Sequence, residues 1–145
     1  SPDDSGALAR QALDEGIEML GAASVATAVA AEQLAREVSA PWSALMDIDI
    51  DADEEMIPAD RVRDVSDVLE ECLSNAFRHG GATRVEVKLH RQESGWLIAV
   101  SDNGSGLDQA GGAGLGTSLF EAVSGGDWLR RPVAGSGCVV TVRLV

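Results

Sequence analysis

Three groups of residues have the types and spacing to do chemistry. The first is Glu71-Cys72-Leu73-Ser74-Asn75-Ala76-Phe77-Arg78-His79. On a helix Glu71 and Asn75, four apart, share a face, and Arg78 continues it a turn later. The amide oxygen can ligate a hard cation, the guanidinium can meet a phosphate, and the carboxylate can orient or deprotonate a nucleophile. Together they suit a magnesium-phosphate site, although an ordinary solvated helix face carries the same residue types. The second group is Asp102-Asn103-Gly104-Ser105-Gly106, directly after an apolar run. An aspartate at a strand end can accept from an exocyclic amine, and glycines beside it let backbone approach a flat ring. The same residues also make a plain turn. The third is Gly111-Gly112-Ala113-Gly114-Leu115-Gly116-Thr117, opening a helical pattern. Its amides would attract anions, though a flexible linker reads alike. No Gly-Lys-Ser/Thr follows, so it is not a P-loop, and its context is wrong for a dinucleotide fingerprint.

Positioning these groups is the task of the surrounding elements. Residues Asp4 to Val38 are alanine-rich and proline-free, with Leu13, Ile17, Leu20, Leu34 and Val38 at helical spacings. They predict one long helix, or a helical hairpin broken near Gly21, ended by Pro41. Trp42 to Asp51 is expected to be the first strand, with Ala44, Met46, Ile48 and Ile50 on one face and aspartates on the wet face. Asp53 to Pro58 reads as a loop, and Ala59 to Arg78 as a helix stopped by Gly80-Gly81. Val65, Leu69, Cys72, Leu73 and Ala76 form its packing side. Arg84 to Arg91 and Trp96 to Val100 predict a hairpin joined by Glu93-Ser94-Gly95. A short helix over Thr117 to Val123 and strands over Trp128 to Val133 and Cys138 to Val145 complete the order. The expected fold is an α/β (α+β) two-layer sandwich, a mostly antiparallel mixed sheet with helices on one face.

The chain has 145 residues and a formal charge of −13, which argues for one compact domain and against a nucleic-acid partner. Five aromatics without tyrosine make a poor base-stacking platform. Cys72 and Cys138 stand in no metal-ligand spacing and suggest neither a zinc site nor a disulfide framework, which makes a reducing cytoplasm the default. The longest apolar run, Leu20 to Ala31, is too short and too polar to cross a bilayer, and no signal peptide is visible. A start at Ser1 rather than methionine suggests a piece of a longer protein. From Asp47 to Glu71 eleven acids face two arginines, which accounts for nine of the thirteen net negative charges. The run Asp47-Ile48-Asp49-Ile50-Asp51-Ala52-Asp53 is not a calcium loop, because Ala52 and Pro58 occupy the places of the required glycine and glutamate. His90 reads as a surface residue of its strand.

An Asn-bearing helix, a hairpin, Asp-x-Gly-x-Gly and then Gly-x-Gly before a helix, in that order, resembles the GHKL ATPase superfamily. Its members include the ATP-binding domains of sensor histidine kinases, anti-sigma-factor serine kinases, gyrase and the Hsp90 chaperones. The resemblance covers Trp42 to Val145, roughly seventy per cent of the chain. Glu-x-x-x-Asn-Ala-x-Arg-His-Gly and the short lid between Asp102 and Gly114 look most like histidine kinases of the nitrate-sensor class.

That resemblance implies a Bergerat-type ATP-binding domain over residues 41–145, with residues 1–40 as a helical flank that could be the remnant of a dimerisation helix. It implies that Asn75 holds Mg²⁺, that Glu71 is the polar or general-base residue, and that Arg78 and His79 lie near the phosphates. Asp102 would bond the adenine amine, Gly104 and Gly106 would shape that pocket, and Gly114, Leu115, Gly116 and Thr117 would form the lid edge. The implied activity is transfer of the γ-phosphoryl of Mg-ATP to a histidine on another domain of the same or a partner chain. A response regulator would follow, with a homodimer and a cytoplasmic setting, the latter as part of a membrane-anchored sensor. An anti-sigma-factor-like serine kinase and a non-catalytic nucleotide-binding module share the same boxes. Three features depart from the family. Cys138 stands where it usually has threonine, a weaker hydrogen-bond partner there; the lid has no aromatic box; and neither histidine, His79 or His90, reads as a phospho-acceptor.

Overall fold

A computed structural model describes residues 27–93, 95–105, 117–133 and 137–144. The helical reading of Asp4 to Val38 therefore lies outside the described residues as far as Ala26. Within the described part, Val29–Ala30 is a strand rather than helix, because it pairs with a distant segment, and the helix begins only at Ala31: α1 is Ala31–Ser39. Leu34 and Ala35 are buried on one side of α1, and Glu32 and Arg36 form an i,i+4 ion pair at 2.8 Å on the other.

The strand expected from Trp42 starts later. Ala40–Ala44 is a 3-10 turn with Pro41 in its first positions, where a fixed φ and a missing N–H do no harm. It drives the Trp42 ring inward. Its Nε1–H donates to Glu70 at 3.3 Å, and its centroid lies 6.2 Å from that of Phe77. Strand β2 is Asp47–Ala52, where the alternation holds. Asp47, Asp49 and Asp51 are exposed, while Ile48, Ile50 and Ala52 pack on the core.

The expected loop from Asp53 contains a strand. Met56–Ile57 (β3) pairs antiparallel with Val29–Ala30 (β1) in a two-stranded ribbon, Val29 opposite Ile57. The turn before it receives the start of α1: Ala31 N–H donates to Glu55 O and Glu32 N–H to Asp53 O. Two-residue strands carry no local periodicity, and this pairing joins positions far apart in sequence.

Helix α2, Ala59–Arg78, matches its expected bounds, as do β4 (Arg84–Gln92), β5 (Gly95–Asp102), α3 (Thr117–Ser124), β6 (Trp128–Pro132) and β7 (Cys138–Leu144) to within one or two residues. The main sheet runs β2-β4-β5-β7-β6. Only β2 and β4 are parallel; the remaining neighbours are antiparallel. A parallel neighbour needs a crossover, and α2 lies in that connection. On one face Val85, Val87, Leu89, Trp96, Ile98, Val100, Val140 and Val142 are buried. Across that face α1 packs against β2 and β4, α2 against β5, and α3 against β6 and β7. This is the two-layer arrangement with helices on one face that the sequence leads one to expect. The described part of the N-terminal flank, α1, shares the core of that layer.

Candidate functional site

The packing side of α2 is Val65, Val68, Leu69, Cys72, Leu73 and Ala76, all buried. Glu70 and Phe77 face Trp42 and so mark the α1 flank. At about 100° per residue, Asn75 stands some 140–160° round from both, on the flank towards α3. Glu71 lies one turn before it, and both side chains are half-buried. Arg78 and His79 are exposed at the end of the helix. The His79 and Gly80 N–H groups both donate to the Asn75 carbonyl, at 3.0 and 3.1 Å.

The ends of α2 and β5 meet without room for side chains. A Cβ on Gly104 would lie 2.5 Å from the Gly80 carbonyl oxygen, and Ser105 N–H donates to that same oxygen at 2.9 Å. On the other side Gly137, at φ +110°, enters β7 where a Cβ would overlap the Asp102 carbonyl. Only glycine fits either place. Asn103 fixes the height of the loop. Its Oδ1 accepts from Thr83 N–H at 2.9 Å and Arg84 N–H at 3.0 Å, and its Nδ2 donates to Thr83 Oγ1 at 3.0 Å.

Asp102 is thereby held at the rim of the covered face. It sits opposite Val85 on one side and Cys138 on the other. Its Oδ1 accepts from Gly104 N–H at 2.7 Å, the turn bond its sequence predicts. Burial pushes its carboxyl above the ordinary aspartate value, opposed only by that N–H. Burial also raises both cysteine thiols, Cys72 well beyond the usual thiol range.

Of the residues singled out in the sequence, Gly104 meets the end of α2 at Gly80, Asp102 stands two residues before it at the end of β5, and Glu71 and Asn75 lie half-buried on one flank of α2. Thr117 opens α3. Gly106, Gly114, Leu115 and Gly116 lie outside the described residues. Among the described residues no three His, Cys, Asp or Glu side chains group to hold a metal. An amide oxygen such as that of Asn75 suits a hard cation that takes its other ligands from a phosphate and water.

Residues 60–145, more than half of the chain, match the histidine kinase-, DNA gyrase B- and HSP90-like ATPase family. The chain belongs to that family. A 41-residue stretch is 44% identical to the sensor-type histidine kinase PrrB of Mycobacterium leprae, over 28% of this chain but only 9% of that relative. Among solved structures, the ATP-binding domain of PrrB from Mycobacterium tuberculosis superposes with a TM-score of 0.59 at 21% identity, covering 81% of this chain and 95% of that one. The mycobacterial sensor histidine kinase MprB gives 0.59 at 16% identity, over 83% and 97%. The histidine kinase AdeS of Acinetobacter baumannii gives 0.58 at 14%, over 81% and 66%. These likenesses carry the fold.

In this ATPase-family chain, three residues around Asp102 escape a reading of the motifs. Gly80 and Gly137 matter through close approaches that only the register creates. Asn103 reads as turn chemistry, and only its Oδ1 bonds to Thr83 and Arg84 reveal a brace. His90 is more than a bare surface residue. It is half-buried, with Nδ1 2.9 Å from Asp53 Oδ1 and Nε2 3.4 Å from Asp51 Oδ1.

Proposed function

We propose that this domain binds Mg-ATP and donates its γ-phosphoryl to a histidine on another domain, as the catalytic part of a two-component sensor histidine kinase. The observation that carries the reading is Asp102, desolvated at the end of β5 beside the close approach of Gly104 to the end of α2. A half-buried carboxylate with one N–H partner is suited to accept from an amine, and here that amine would be the exocyclic amine of adenine. Gly104 and Gly137 let the end of α2 and the start of β7 close directly on the backbone around Asp102. Gly106, Gly114, Leu115, Gly116 and Thr117 are proposed as the loop and lid edge around the ligand, with Arg78 and His79 near its phosphates.

Asn75 would hold Mg²⁺, while Glu71 on the same flank would be left to act on the acceptor. When bound, the ion would neutralise part of the phosphate charge, which an acidic protein needs before it can take a polyphosphate. The chain's own residues position the reactants. The acceptor imidazole nitrogen attacks the γ-phosphorus, the bond to the bridging oxygen breaks, ADP leaves, and Glu71 is placed to orient the imidazole and take its ring proton.

The phosphohistidine would then serve a response regulator. The alanine-rich first forty residues are proposed as part of a dimerisation element. No helix among the described residues is long and apolar enough to cross a membrane; a cytoplasmic setting, where ATP is supplied, is part of the proposal.

Incubation of the chain with labelled Mg-ATP and histidine-bearing domains tests it. An acid-labile phosphoprotein is expected, abolished in Asn75→Asp. An acid-stable product would point instead to a serine kinase of the anti-sigma-factor type. Nucleotide binding without transfer to any supplied partner would leave a non-catalytic module.

A further inference from the structure

The helices pack on one face of the main sheet, and among the described residues no helix covers the other. The strand registers set out the side chains of that open face in rows. One row, from edge to edge, is Asp49, Glu86, Ser101, Val139 and Arg131. The next is Asp51, Lys88, Ala99, Thr141 and Leu129. In a third, His90, Leu97 and Arg143 cross β4, β5 and β7. The middle strand β5 thus presents the uncharged Leu97, Ala99 and Ser101, and Leu129 on the edge strand is 54% exposed.

The charges of this face lie towards its two edges and differ in sign. Along β2 and β4 the acids Asp47, Asp49, Asp51 and Glu86 outnumber Arg84 and Lys88, all of them exposed. Along β6 and β7 stand Arg131 and Arg143, both exposed. Arg84 and Lys88 are opposite Asp47 and Asp51, whereas Asp49 is opposite Glu86. Like charges directly opposite one another destabilise a sheet. Among the described residues Asp49, Glu86 and Arg131 have no ion pair or hydrogen-bond partner for their side chains, whereas Arg143 is engaged by Gln92 and Asp127. Arg131 lies in the row of the two acids, but three and four strands away. At about 4.8 Å per strand that is on the order of 14 to 19 Å, too far for the side chains to meet within one chain.

A second copy can close these pairs. β5 is the third of the five strands. A two-fold axis above β5, between facing sheets and along the strands, lays β2 and β4 of each copy over β6 and β7 of the other. Asp49 and Glu86 of one copy then meet Arg131 of the other, and symmetry makes the contact twice. Leu97, Ala99 and Ser101 fall near the axis, where small side chains let the sheets approach to the usual spacing of about 10 Å. Five strands by three rows cover roughly 24 by 20 Å, so about 1,000 Å² is buried in all, the lower bound of a specific interface. That area suits a reversible dimer.

We propose that the open face of the sheet is a self-association surface whose occupant is a second copy of this chain, with Asp49 and Glu86 of each copy against Arg131 of the other. The contact uses no residue of the candidate nucleotide site.

Sedimentation velocity of the full chain, up to about 200 μM, tests it. The parent is expected to associate reversibly, and less so as salt is raised. Arg131→Glu, and separately the double variant Asp49→Lys with Glu86→Lys, should each associate about 100-fold more weakly. Mixed in equal amounts, the two should associate as tightly as the parent, because each new charge then faces its opposite on the other chain. A parent that stays monomeric would overturn the proposal. Association unchanged in both variants would place the interface elsewhere, in the N-terminal flank for example, and overturn it too. So would association lost in each variant and not regained on mixing, since mixing does not mend a misfolded chain. If either reversal does not fold, Arg131→Gln decides: it must associate less tightly than the parent, and with less dependence on salt.

Discussion

Two aspartates end neighbouring parts of the same sheet, and their environments push them in opposite directions. Asp53 follows β2. Its Oδ2 accepts from Arg91 N–H at 2.7 Å and its Oδ1 meets the His90 ring at 2.9 Å. The Arg91 N–H, then the His90 hydrogen bond, hold its carboxyl below the ordinary aspartate value. Its backbone joins Leu89 to Glu32, so the whole residue ties β4 to the start of α1. Asp102, at the end of β5, has one N–H partner and a desolvated carboxyl held above the ordinary value. An acid whose partners are all supplied by the fold stabilises the fold. An acid that the fold buries and only half supplies is poised for a partner from outside.

The largest effect should come from the geometry that buries Asp102. Gly104→Val places a Cβ against the Gly80 backbone, which cannot yield as a flexible side chain would. A loss of about 3 kcal/mol and a fall in Tm on the order of 10 °C are expected, and melting curves check it. Asp102→Asn separates function from fold. Its raised value means that the charge costs more in the folded chain than in the unfolded one above the ordinary aspartate pKa. Removing that charge should leave Tm unchanged or higher, while Mg-ATP affinity, read by calorimetry, falls about 100-fold.

Asp53→Asn should do the reverse. The lowered value of Asp53 contributes stability at neutral pH that is lost as pH falls, and the variant should lose about 1 kcal/mol with no change in nucleotide affinity. If Asp53→Asn impaired binding and Asp102→Asn impaired only folding, the comparison would be the wrong way round.

His90→Gln should show the smallest effect. The bond to Asp53 raises the His90 value above 6.5. Its contribution is fully present below that unfolded value and is lost as pH rises through the higher folded one. The side chain is 33% exposed, so the contribution is of surface size, below about 1 kcal/mol. Parent and variant should differ in urea unfolding at pH 5.5 and coincide at pH 9.

The legibility of the molecule follows the same division. Helix α2 was readable end to end because Pro58, one apolar stripe and Gly80-Gly81 agree locally. The β4–β5 hairpin was readable from strict alternation. Trp42 reads as a strand residue because alternation runs through Ala44 and Met46, whereas the fold buries the indole in a 3-10 turn against Phe77. The β1–β3 ribbon was invisible because its pairing is long-range. At the candidate site, Asp102 and Asn75 carry their chemistry in their own side chains and could be named. Gly137 acquires its role from the approach of β7 to the end of β5, which no local window contains.

Hydrogen exchange of the full chain with and without Mg-ATP tests the distinction between the two aspartates most directly. Nucleotide should slow exchange at Asp102–Ser105, at Gly137–Val140 and along Glu71–Gly80, and leave Asp51–Glu55 and His90 unchanged. Protection centred on the Asp53–His90 cluster, or no protection at Asp102, would contradict the assignment of the nucleotide site.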